Sequence, residues 1–279
     1  MDHYFLLGNP VAHSKSPLIH ARFAELTGQH LHYAAQLTPL DGFTATLEAL
    51  VQGGASGCNV TVPFKFEAYQ AAVTHTARAQ LAQAANTLVL TDGQIHADNT
   101  DGIGLVNDIQ NNAGLALAGR DVLLIGAGGA AAGALGALLL AGPRRLVLVN
   151  RTRDKADALV ARHRSHASLQ QVLQKTELLA LDIQGLEADF DVIINASASS
   201  LGGAEVPVHS RVLKPGALAY DMMYGAAAAG FMHWAQTHGA QARDGLGMLI
   251  EQAAESFALW RQVRPPTAQV LQELRDLMA

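Results

Sequence analysis

A glycine-rich segment in the middle of the chain has the residue types and spacing of a site for a nucleotide pyrophosphate. Its core consists of Gly126, Ala127, Gly128, Gly129 and Ala130, followed by Ala131. The spacing Gly126-x-Gly128-x-x-Ala131 fits the dinucleotide fingerprint, which allows glycine or alanine at its third position. The first glycine permits a tight turn, and the second lets the main chain approach a pyrophosphate that rests on helix N-terminal amides. The alternative is a glycine-rich turn of any α/β protein.

The end of the next predicted strand indicates which dinucleotide binds. NAD sites usually carry an acid there for the ribose 2′-hydroxyl, whereas a nearby arginine accommodates the 2′-phosphate of NADP. This strand is followed by Asn150, Arg151, Thr152 and Arg153, with Lys155 close behind, and no acid stands at its tip. Because arginine can bind a phosphate through two parallel hydrogen bonds, these residues favour NADP over NAD. A solvated basic turn capped by Thr152 is the alternative.

Polar residues in the first third of the chain could bind a small ligand. Ser14 and Ser16, on either side of a lysine, can present two hydroxyl donors to one carboxylate, or one of them can cap the following helix. Lys65 follows a strand that Pro63 ends, at the sheet edge where ligands bind in open α/β proteins, although a lone lysine there is more often a surface residue. From its position alone, Asp101 is best explained as a helix cap.

Alternating strand and helix patterns position these residues and predict an α/β fold. Short apolar runs without polar alternation are typical of parallel strands buried on both faces. We predict strands near 4–7, 31–36, 57–62, 87–90, 122–125, 146–149, 178–181, 191–195, 218–224 and 241–244, with a hairpin turn at Asp92-Gly93. We predict helices near 18–26, 41–51, 76–84, 103–111, 129–140, 154–163 and 231–238, a small-residue loop at 196–199, and a final helix from about 246.

The final predicted helix combines an apolar stripe with a polar residue. The stripe, at a period of 3.6 residues, consists of Leu246, Leu249, Ile250, Ala253, Phe257 and Trp260. Met248 and Gln252 are four residues apart and share a different face. A glutamine in such a position usually faces solvent, unless the helix crosses a ligand cleft.

The bulk composition excludes several classes of protein. The chain has 279 residues, enough for two domains, of which 15% are charged and 49% hydrophobic. A net charge of −5 argues against nucleic acid or an anionic membrane as the main partner. The single cysteine, Cys58, excludes an internal disulfide and a cysteine-based zinc site, and the 12 histidines show no metal-ligand spacing. The start, Met1-Asp-His-Tyr, does not resemble a signal peptide, so we expect a cytoplasmic protein.

Several motifs, in the right order, closely resemble the shikimate dehydrogenases, the NADP-dependent enzymes of aromatic amino-acid biosynthesis. The resemblance extends from Gly8 to the C-terminal helix. Its markers are Gly8-Asn-Pro-Val-Ala-His-Ser-Lys-Ser-Pro17, Asn59-Val-Thr-Val-Pro-Phe-Lys65, Ala85-Asn86-Thr87, Asn99-Thr100-Asp101-Gly102, the Gly126 turn, Asn150-Arg151-Thr152, and Gly245-Leu-Gly-Met-Leu249 with Gln252. Several markers together are far more specific than any one of them.

The resemblance implies an architecture and a reaction. It implies an N-terminal α/β substrate-binding domain, residues 1–101 with 246–279, and a Rossmann-like NADP-binding domain, residues 102–245, with a cleft between them. The implied reaction is the reversible reduction of 3-dehydroshikimate to shikimate by NADPH, without a metal. The implied partners are this small substrate and NADP, with neither nucleic acid nor a membrane, in a monomer or homodimer.

The resemblance also implies a role for each candidate residue. Lys65 would act as acid and base, with Asp101 as its orienting partner, since an ammonium at the substrate oxygen supplies both charge stabilisation and the proton. The implied substrate-binding residues, some of which the spacing alone explains as helix caps, are Ser14, Ser16, Thr61, Asn86, Asp101, Tyr224 and Gln252. Beside residues 126–130, 150–152 and Lys155, the residues implied to bind the cofactor are Asn195, Ser197, Met222, Gly245 and Met248.

Three alternatives remain open at this point. A quinate/shikimate dehydrogenase that uses NAD predicts an acid where Arg151 stands, and a catalytically silent NADP-binding regulatory homologue predicts the loss of Lys65 or Asp101. A methylene-folate-type dehydrogenase shares the two-domain plan but gives no reason for the serine pair at Ser14 and Ser16. Lys155 stands where arginine is common in the family, which would weaken the NADP preference without reversing it.

Overall fold

The fold was established from a computed structural model, which describes residues 1–197 and 206–278. Residues 198 and 199 of the predicted small-residue loop therefore lie outside the described residues. Contacts between Cα atoms divide the chain into two compact units, Met1–Gly104 with Ile250–Ala279, and Leu105–Leu249. Among the described residues, no helix has both the length and the apolar character needed to cross a membrane.

The first unit combines a mixed sheet with helices from both ends of the chain. Its strands are β1 (Asp2–Gly8), β2 (Leu31–Leu37), β3 (Gly57–Val60), β4 (Thr74–His75), β5 (Thr87–Thr91) and β6 (Gln94–Asp98). The helices of the N-terminal segment are α1 (Ser16–Thr27), α2 (Phe43–Gln52), α3 (Lys65–Ala71) and α4 (Ala77–Ala82), and α5 (Asp101–Asn107) follows β6. The C-terminal helices are α10 (Leu246–Arg261) and α11 (Thr267–Met278).

The strand order of this first sheet brings the candidate residues to one edge. The order is β2-β1-β3-β5-β6-β4, with β1 parallel to β2 and β3, and β5 antiparallel to β3 and β6. The carboxyl ends of β1, β3 and β6 and the amino end of β5 therefore lie along the same edge. Ser14, Lys65, Asn86 and Asp101 all follow or precede strands at that edge, where ligands bind in open α/β sheets.

The second unit is a doubly wound parallel sheet. Its strands are β7 (Asp121–Ile125), β8 (Arg145–Val149), β9 (Glu177–Leu181), β10 (Phe190–Asn195), β11 (Leu213–Asp221) and β12 (Gln241–Arg243). Its helices include α6 (Gly129–Leu140), α7 (Arg153–Ser165), α8 (Gln170–Leu173) and α9 (Ala229–Thr237). The order is β12-β11-β10-β7-β8-β9, every pair is parallel, and the order reverses at β7, so this unit is Rossmann-like.

The carboxyl ends of the second sheet carry the candidate cofactor residues. Gly126 follows β7, Asn150 follows β8, and Asn195 is the last residue of β10. Met222 follows β11, and Gly245 lies two residues after β12. Because all strands of this sheet are parallel, these residues share one edge. Val122, Leu123, Leu124 and Ile125 of β7 are at most 1% exposed, as expected for a central strand covered on both faces.

The structure differs from the sequence prediction in several elements. Lys65 is the first residue of the helix α3, where the sequence predicted a turn, and the two-residue strand β4 was not predicted. The prediction that the helix from 246 is the last one is wrong: α10 ends at Arg261, Gln262 has a positive φ, and α11 begins after Pro265 and Pro266. The predicted helix across 103–111 begins at Asp101 and continues after Asn107 as one wider turn over Asp108–Asn112.

Candidate active site

The centre of the first unit's site is an ion pair between two residues that β3 and β6 bring to the sheet edge. Phe64, the N-cap residue of α3, is fully buried in the core and precedes Lys65, the first residue of that helix. Lys65 Nζ donates to Asp101 Oδ2 over 2.5 Å, and the two side chains are 18% and 7% exposed. Asp101 is inside the first turn of α5, and its carboxylate faces Lys65. The side-chain role therefore differs from the helix cap that the spacing alone suggested.

Asn86 connects this ion pair to the C-terminal helix α10. Its Nδ2 donates to Asp101 Oδ1 at 2.9 Å and to Gln252 Oε1 at 3.0 Å. Asn86 is 3% exposed and stands immediately before β5. The four residues Lys65, Asp101, Asn86 and Gln252, which come from α3, α5, the start of β5 and α10, thus belong to one hydrogen-bonded group. Gln252 is part of this group and does not simply face solvent.

The two serines of the first loop contact each other at the start of α1. Ser14 Oγ lies 3.2 Å from Ser16 Oγ and accepts a hydrogen bond from the Ser16 amide at 3.2 Å. Lys15 occupies the N-cap position and makes no side-chain cap bond. Ser14 therefore satisfies one amide at the helix start, as the capping interpretation expected, while the two hydroxyls stay close enough to bind the two oxygens of one carboxylate.

Thr61 lies in the turn between β3 and α3, and its main chain is fixed on both sides. Its amide donates to the carbonyl of Leu7 at 2.9 Å, and its carbonyl accepts from the amide of Phe64 at 3.0 Å. A Cβ atom at Gly8 would collide with the methyl group of Thr61, so the close approach of these two segments requires glycine there. The partly exposed Thr61 side chain lies at the same sheet edge as Lys65.

In the second unit, the glycine turn has the backbone geometry that the fingerprint predicts. Gly126 has φ +112°, a conformation that favours glycine, and a Cβ there would lie 2.9 Å from the carbonyl oxygen of Ala196. α6 begins at Gly129, and its N-cap residue Gly128 provides no side-chain cap bond. Ala127, Gly129 and Ala130 are partly exposed, and Gly128 is exposed. A pyrophosphate can therefore approach the amides at this helix start, and these residues fit a dinucleotide.

The turn after β8 carries two arginines, Arg151 and Arg153, which differ in whether they form ion pairs with the described residues. Arg153 pairs with Asp157 at 2.9 Å and with Asp182 at 3.2 Å. Arg151 is exposed and forms no hydrogen bond or ion pair within the described ranges, 1–197 and 206–278. Thr152 is the N-cap residue of α7 without a side-chain cap bond, so the alternative of a turn capped by this side chain is wrong.

The rest of this turn is fixed by two hydrogen bonds to one main-chain carbonyl. Asn150 Nδ2 donates to the carbonyl of Thr152 at 2.8 Å, and the same carbonyl accepts from the amide of Lys155 at 3.2 Å. Lys155 is exposed, like Arg151. The turn therefore presents two cations next to the tip of β8, the strand that follows the glycine turn and its helix.

The end of β10 is connected to the end of β11 through Asn195. Its Oδ1 accepts from the amide of Ser197 at 3.1 Å and from Ser197 Oγ at 2.7 Å, while its Nδ2 donates to Asp221 Oδ2 at 3.1 Å. The Met222 amide donates to the Asn195 carbonyl at 3.0 Å. A Cβ at Gly245 would collide with the carbonyl of Met222, so this crossing also requires glycine. Asp221 was missed in the sequence analysis because a buried acid at a strand end gives no motif.

Tyr224 and Met248 also belong to the second unit. Tyr224 is partly buried, and burial raises the pKa of its phenol, so the hydroxyl stays protonated at neutral pH and can donate. Met248 is 7% exposed near the start of α10. Tyr224 and Met248 thus lie in a different unit from the other predicted substrate-binding residues, which belong to the first unit.

A buried acid holds the segment that leads into α10. Asp108 is fully buried and accepts from Tyr220 Oη at 2.7 Å, Arg243 Nε at 2.8 Å and Arg243 Nη2 at 2.6 Å. A Cβ at Gly247 would collide with the Asp108 carboxylate. Burial and the neighbouring Asp108 raise the pKa of Tyr220 well above its usual value. This cluster could not be predicted from the sequence, since its members are far apart in the chain.

Comparison with known families covers most of the chain in three segments. Residues 6–88 match the shikimate dehydrogenase substrate binding domain, residues 108–204 match the shikimate / quinate 5-dehydrogenase family, and residues 245–275 match the shikimate 5'-dehydrogenase C-terminal domain. A "Shikimate dehydrogenase (NADP(+))" of Acidovorax sp. is 66% identical over 278 residues, which cover 100% of this chain and 97% of the relative. The chain belongs to the shikimate dehydrogenase family.

Solved structures support the same family assignment. An Ael1 enzyme from Pseudomonas putida is 43% identical, with a TM-score of 0.89 and 98% of each chain covered. Shikimate 5-dehydrogenase from Thermus thermophilus, in complex with NADP(H) and shikimate, is 28% identical, with a TM-score of 0.85 and 99% of each chain covered. As a shikimate dehydrogenase family member, this chain has the predicted α/β class, with one substrate-binding and one Rossmann-like domain.

The single cysteine of this shikimate dehydrogenase family member lies in the core of the first unit. Cys58 is fully buried in β3, and burial raises the pKa of its thiol to about 12, so it is an inert core residue. Within the part of the chain that the structure describes, no group of three or more His, Cys, Asp or Glu residues could hold a metal ion.

Proposed function

We propose that this protein catalyses the reversible reduction of 3-dehydroshikimate to shikimate with NADPH, a step of aromatic amino-acid biosynthesis. The observation that carries the proposal is the Lys65–Asp101 ion pair, joined through Asn86 to Gln252 within a shikimate dehydrogenase family member. A silent regulatory homologue would not need a lysine and an acid held together at a sheet edge.

In the proposed reaction, Lys65 handles the proton. When a ketone carbon accepts a hydride, its oxygen develops negative charge and must be protonated, and in the reverse direction the alcohol must lose that proton. The Lys65 ammonium supplies both the charge and the proton, while the Asp101 carboxylate, 2.5 Å away, fixes where the ammonium points. Asp101 is itself fixed, since its other oxygen accepts from Asn86.

The remaining substrate contacts follow from the chemistry of shikimate, a hydroxylated ring with one carboxylate. We propose that the adjacent hydroxyls of Ser14 and Ser16 donate to the carboxylate. Thr61, Asn86, Asp101 and Gln252 are proposed to bond the ring hydroxyls, with Tyr224 as a neutral phenol donor near the substrate.

The proposed cofactor is NADP, which supplies or accepts the hydride when bound. The turn at 126–130 and the uncapped start of α6 would hold its pyrophosphate. Arg151, aided by Lys155, would bind the 2′-phosphate, and Asn150 and Thr152 would shape that turn. Asn195, Ser197, Met222, Gly245 and Met248 are proposed to line the nicotinamide side. For the whole protein we propose a cytoplasmic location and a monomer or homodimer, which light scattering can distinguish.

The proposal is tested by mixing the purified protein with shikimate or quinate and with NADP or NAD, in all four combinations, and recording absorbance of the reduced nicotinamide. We expect reduction mainly with shikimate and NADP. Turnover of quinate with NAD would identify the NAD-using alternative instead. An absence of turnover in all four combinations, with NADP still bound, would reject the proposed function in favour of the regulatory alternative.

A further inference from the structure

Three buried hydroxyl groups lie in contact with one another next to Asn86 of the candidate active site. They belong to Thr87, Thr100 and Ser256, each of which is 0% exposed. Thr87 Oγ1 lies 2.7 Å from Ser256 Oγ, Thr100 Oγ1 lies 3.3 Å from Ser256 Oγ, and the two threonine oxygens are 3.4 Å apart. We call these three residues the hydroxyl cluster.

Each member of the hydroxyl cluster is the neighbour of a different site residue. Thr87 follows Asn86, and Thr100 precedes Asp101. Ser256 lies four residues after Gln252 in α10, which is one helical turn, and its hydroxyl lies 3.1 Å from the Gln252 carbonyl as a donor. The cluster therefore joins the three chain segments that bring Asn86, Asp101 and Gln252 together.

The Thr100 main-chain amide fixes which end of the Asn86 amide faces the ion pair, and the Thr87 hydroxyl contacts the same end. Asn86 Oδ1 accepts from the Thr100 main-chain amide at 2.8 Å and from Thr87 Oγ1 at 3.0 Å. Because a main-chain N–H can only donate, this end of the amide must be the oxygen. Its Nδ2 therefore faces Asp101 and Gln252, where it donates at 2.9 and 3.0 Å.

Asn59 of β3 fixes the opposite side of the cluster. Its Nδ2 is within donor distance of Ser256 Oγ at 3.0 Å, Thr87 Oγ1 at 3.1 Å and the Asn86 carbonyl at 3.0 Å. Because the Asn86 carbonyl can only accept, this end of the Asn59 amide must be the nitrogen, and its Oδ1 accepts from Tyr33 Oη at 2.8 Å. Asn59 and Thr87 are directly opposed in the β3–β5 pairing, which places the cluster within the sheet.

A packing role alone does not account for these residue types. Valine has the shape of threonine and alanine is smaller than serine, and either would fill a buried position without the desolvation of a hydroxyl group. What the hydroxyls add is direction. Those of Thr87 and Thr100 donate toward Asn86, which contacts Asp101, and that of Ser256 donates toward the Gln252 carbonyl.

We propose that Thr87 and Ser256 are positioning residues, whose hydroxyls hold the Asn86 amide and the Gln252 segment so that Asp101 and Gln252 meet the substrate in one fixed arrangement. The catalytic consequence rests on the proposed function, whereas the structural consequence, a fixed Asn86 amide, does not.

The test compares Thr87→Val and Ser256→Ala with Thr87→Ser, which keeps the hydroxyl, and with Thr176→Val. Thr176 is a matched control because its buried hydroxyl donates to the Pro143 carbonyl at 2.7 Å in the other unit. Three properties are measured on the full chain: the melting temperature, KM and kcat for shikimate and NADP, and the side-chain amide resonances of Asn86 in ¹⁵N-labelled protein. The Asn86 signals are assigned by their loss in Asn86→Asp.

We expect Thr87→Val and Ser256→Ala to shift the Asn86 amide resonances and accelerate their hydrogen exchange. KM for shikimate should rise or kcat fall by about tenfold while KM for NADP stays within about twofold, since one buried hydrogen bond is lost at the substrate side only. Thr87→Ser should restore both, and Thr176→Val should lower the melting temperature alone.

The proposal is overturned if Thr87→Val leaves the Asn86 resonances and the shikimate constants as in the wild type, because the hydroxyls would then serve packing only. If Ser256→Ala does not fold, Thr87→Val and Thr87→Ser decide the outcome. If the wild type does not oxidise shikimate, the proposed function fails, and the Asn86 resonances alone confirm or reject the positioning role.

Discussion

Lys65 and Asp101 form an ion pair in which the carboxylate is held through both of its oxygens. Lys65 Nζ donates to Oδ2 at 2.5 Å, and Asn86 Nδ2 donates to Oδ1 at 2.9 Å. The Asp101 carboxylate can therefore not rotate without breaking a hydrogen bond. Because Asn86 holds this carboxylate, it also helps to fix the position of the Lys65 ammonium.

Asp101→Asn keeps the size of the side chain but removes the charge that orients Lys65. We expect kcat for shikimate oxidation to fall by about tenfold to a hundredfold, because the proton-transferring group is no longer held in place. Steady-state kinetics measure the effect. Asp92→Asn, at the exposed hairpin turn where φ is 53°, is the matched control and should leave kcat unchanged. Equal kcat in wild type and Asp101→Asn would exclude the orienting role.

Arg151→Ala should raise KM for NADP, by about tenfold, without a matching effect on KM for NAD. The reason is that NADP alone carries a 2′-phosphate for the guanidinium to bind. Arg153→Ala is the control, since Arg153 is engaged by Asp157 and Asp182, and its KM for NADP should stay near the wild-type value. If Arg151→Ala affects NAD and NADP equally, Arg151 does not recognise the 2′-phosphate.

Asp108→Asn should destabilise the second unit strongly. It leaves the Arg243 guanidinium beside a neutral group in a site where the acid is fully buried, and removing one partner of such a pair costs about 3–5 kcal/mol. Urea unfolding measures the change. Asp157→Asn breaks an exposed pair with Arg153 and should cost less than about 1 kcal/mol. Similar losses in the two variants would refute a special role for the buried acid.

The stability of the protein should decrease in acid partly because of His20. Its ring stacks on Tyr33 with centroids 4.2 Å apart, and burial lowers its pKa from 6.5 to about 3. Below pH 6.5 the unfolded chain gains a proton at His20 that the folded chain does not gain until about pH 3, so stability is lost as pH falls through this window. Between pH 7 and pH 5 the loss from this residue is about 2 kcal/mol.

Urea unfolding at pH 7 and pH 5 tests this linkage in His20→Phe, which keeps an aromatic ring but cannot be protonated. We expect a smaller difference in unfolding free energy between the two pH values than in the wild type. His163, whose pKa burial lowers to about 4, contributes in both proteins. The exposed His30, changed to Phe, is the control and should behave as the wild type. An unchanged pH dependence in His20→Phe would contradict the assignment.

Much of the second unit could be predicted from the sequence because its signals are local. The buried run of β7, the glycines after it and the start of α6 follow each other within the chain, and Gly126 has the positive φ that its motif predicts. In the first unit, the hairpin turn at Asp92-Gly93 was equally predictable from a local signal, since both residues adopt positive φ there.

The first unit's site could not be assembled from local signals alone. Asn86 and Gln252 are 166 positions apart, yet one donates to the other at 3.0 Å. Spacing alone favoured helix capping for Asp101, because only the fold brings Lys65 to its carboxylate; the resemblance to a family supplied that information. Ser256 gave no signal, because a serine on a largely apolar helix shows neither a motif nor a charge.

The most direct test of the account is a comparison of shikimate oxidation with NADP by the wild type, Lys65→Met and Lys175→Met. Lys175 is exposed in the second unit and serves as the matched control. We expect turnover by the wild type and the control, and a kcat at least about a hundredfold lower in Lys65→Met with KM for shikimate within a few-fold. A Lys65→Met variant that keeps the wild-type kcat would contradict the proton-transfer role on which the account rests.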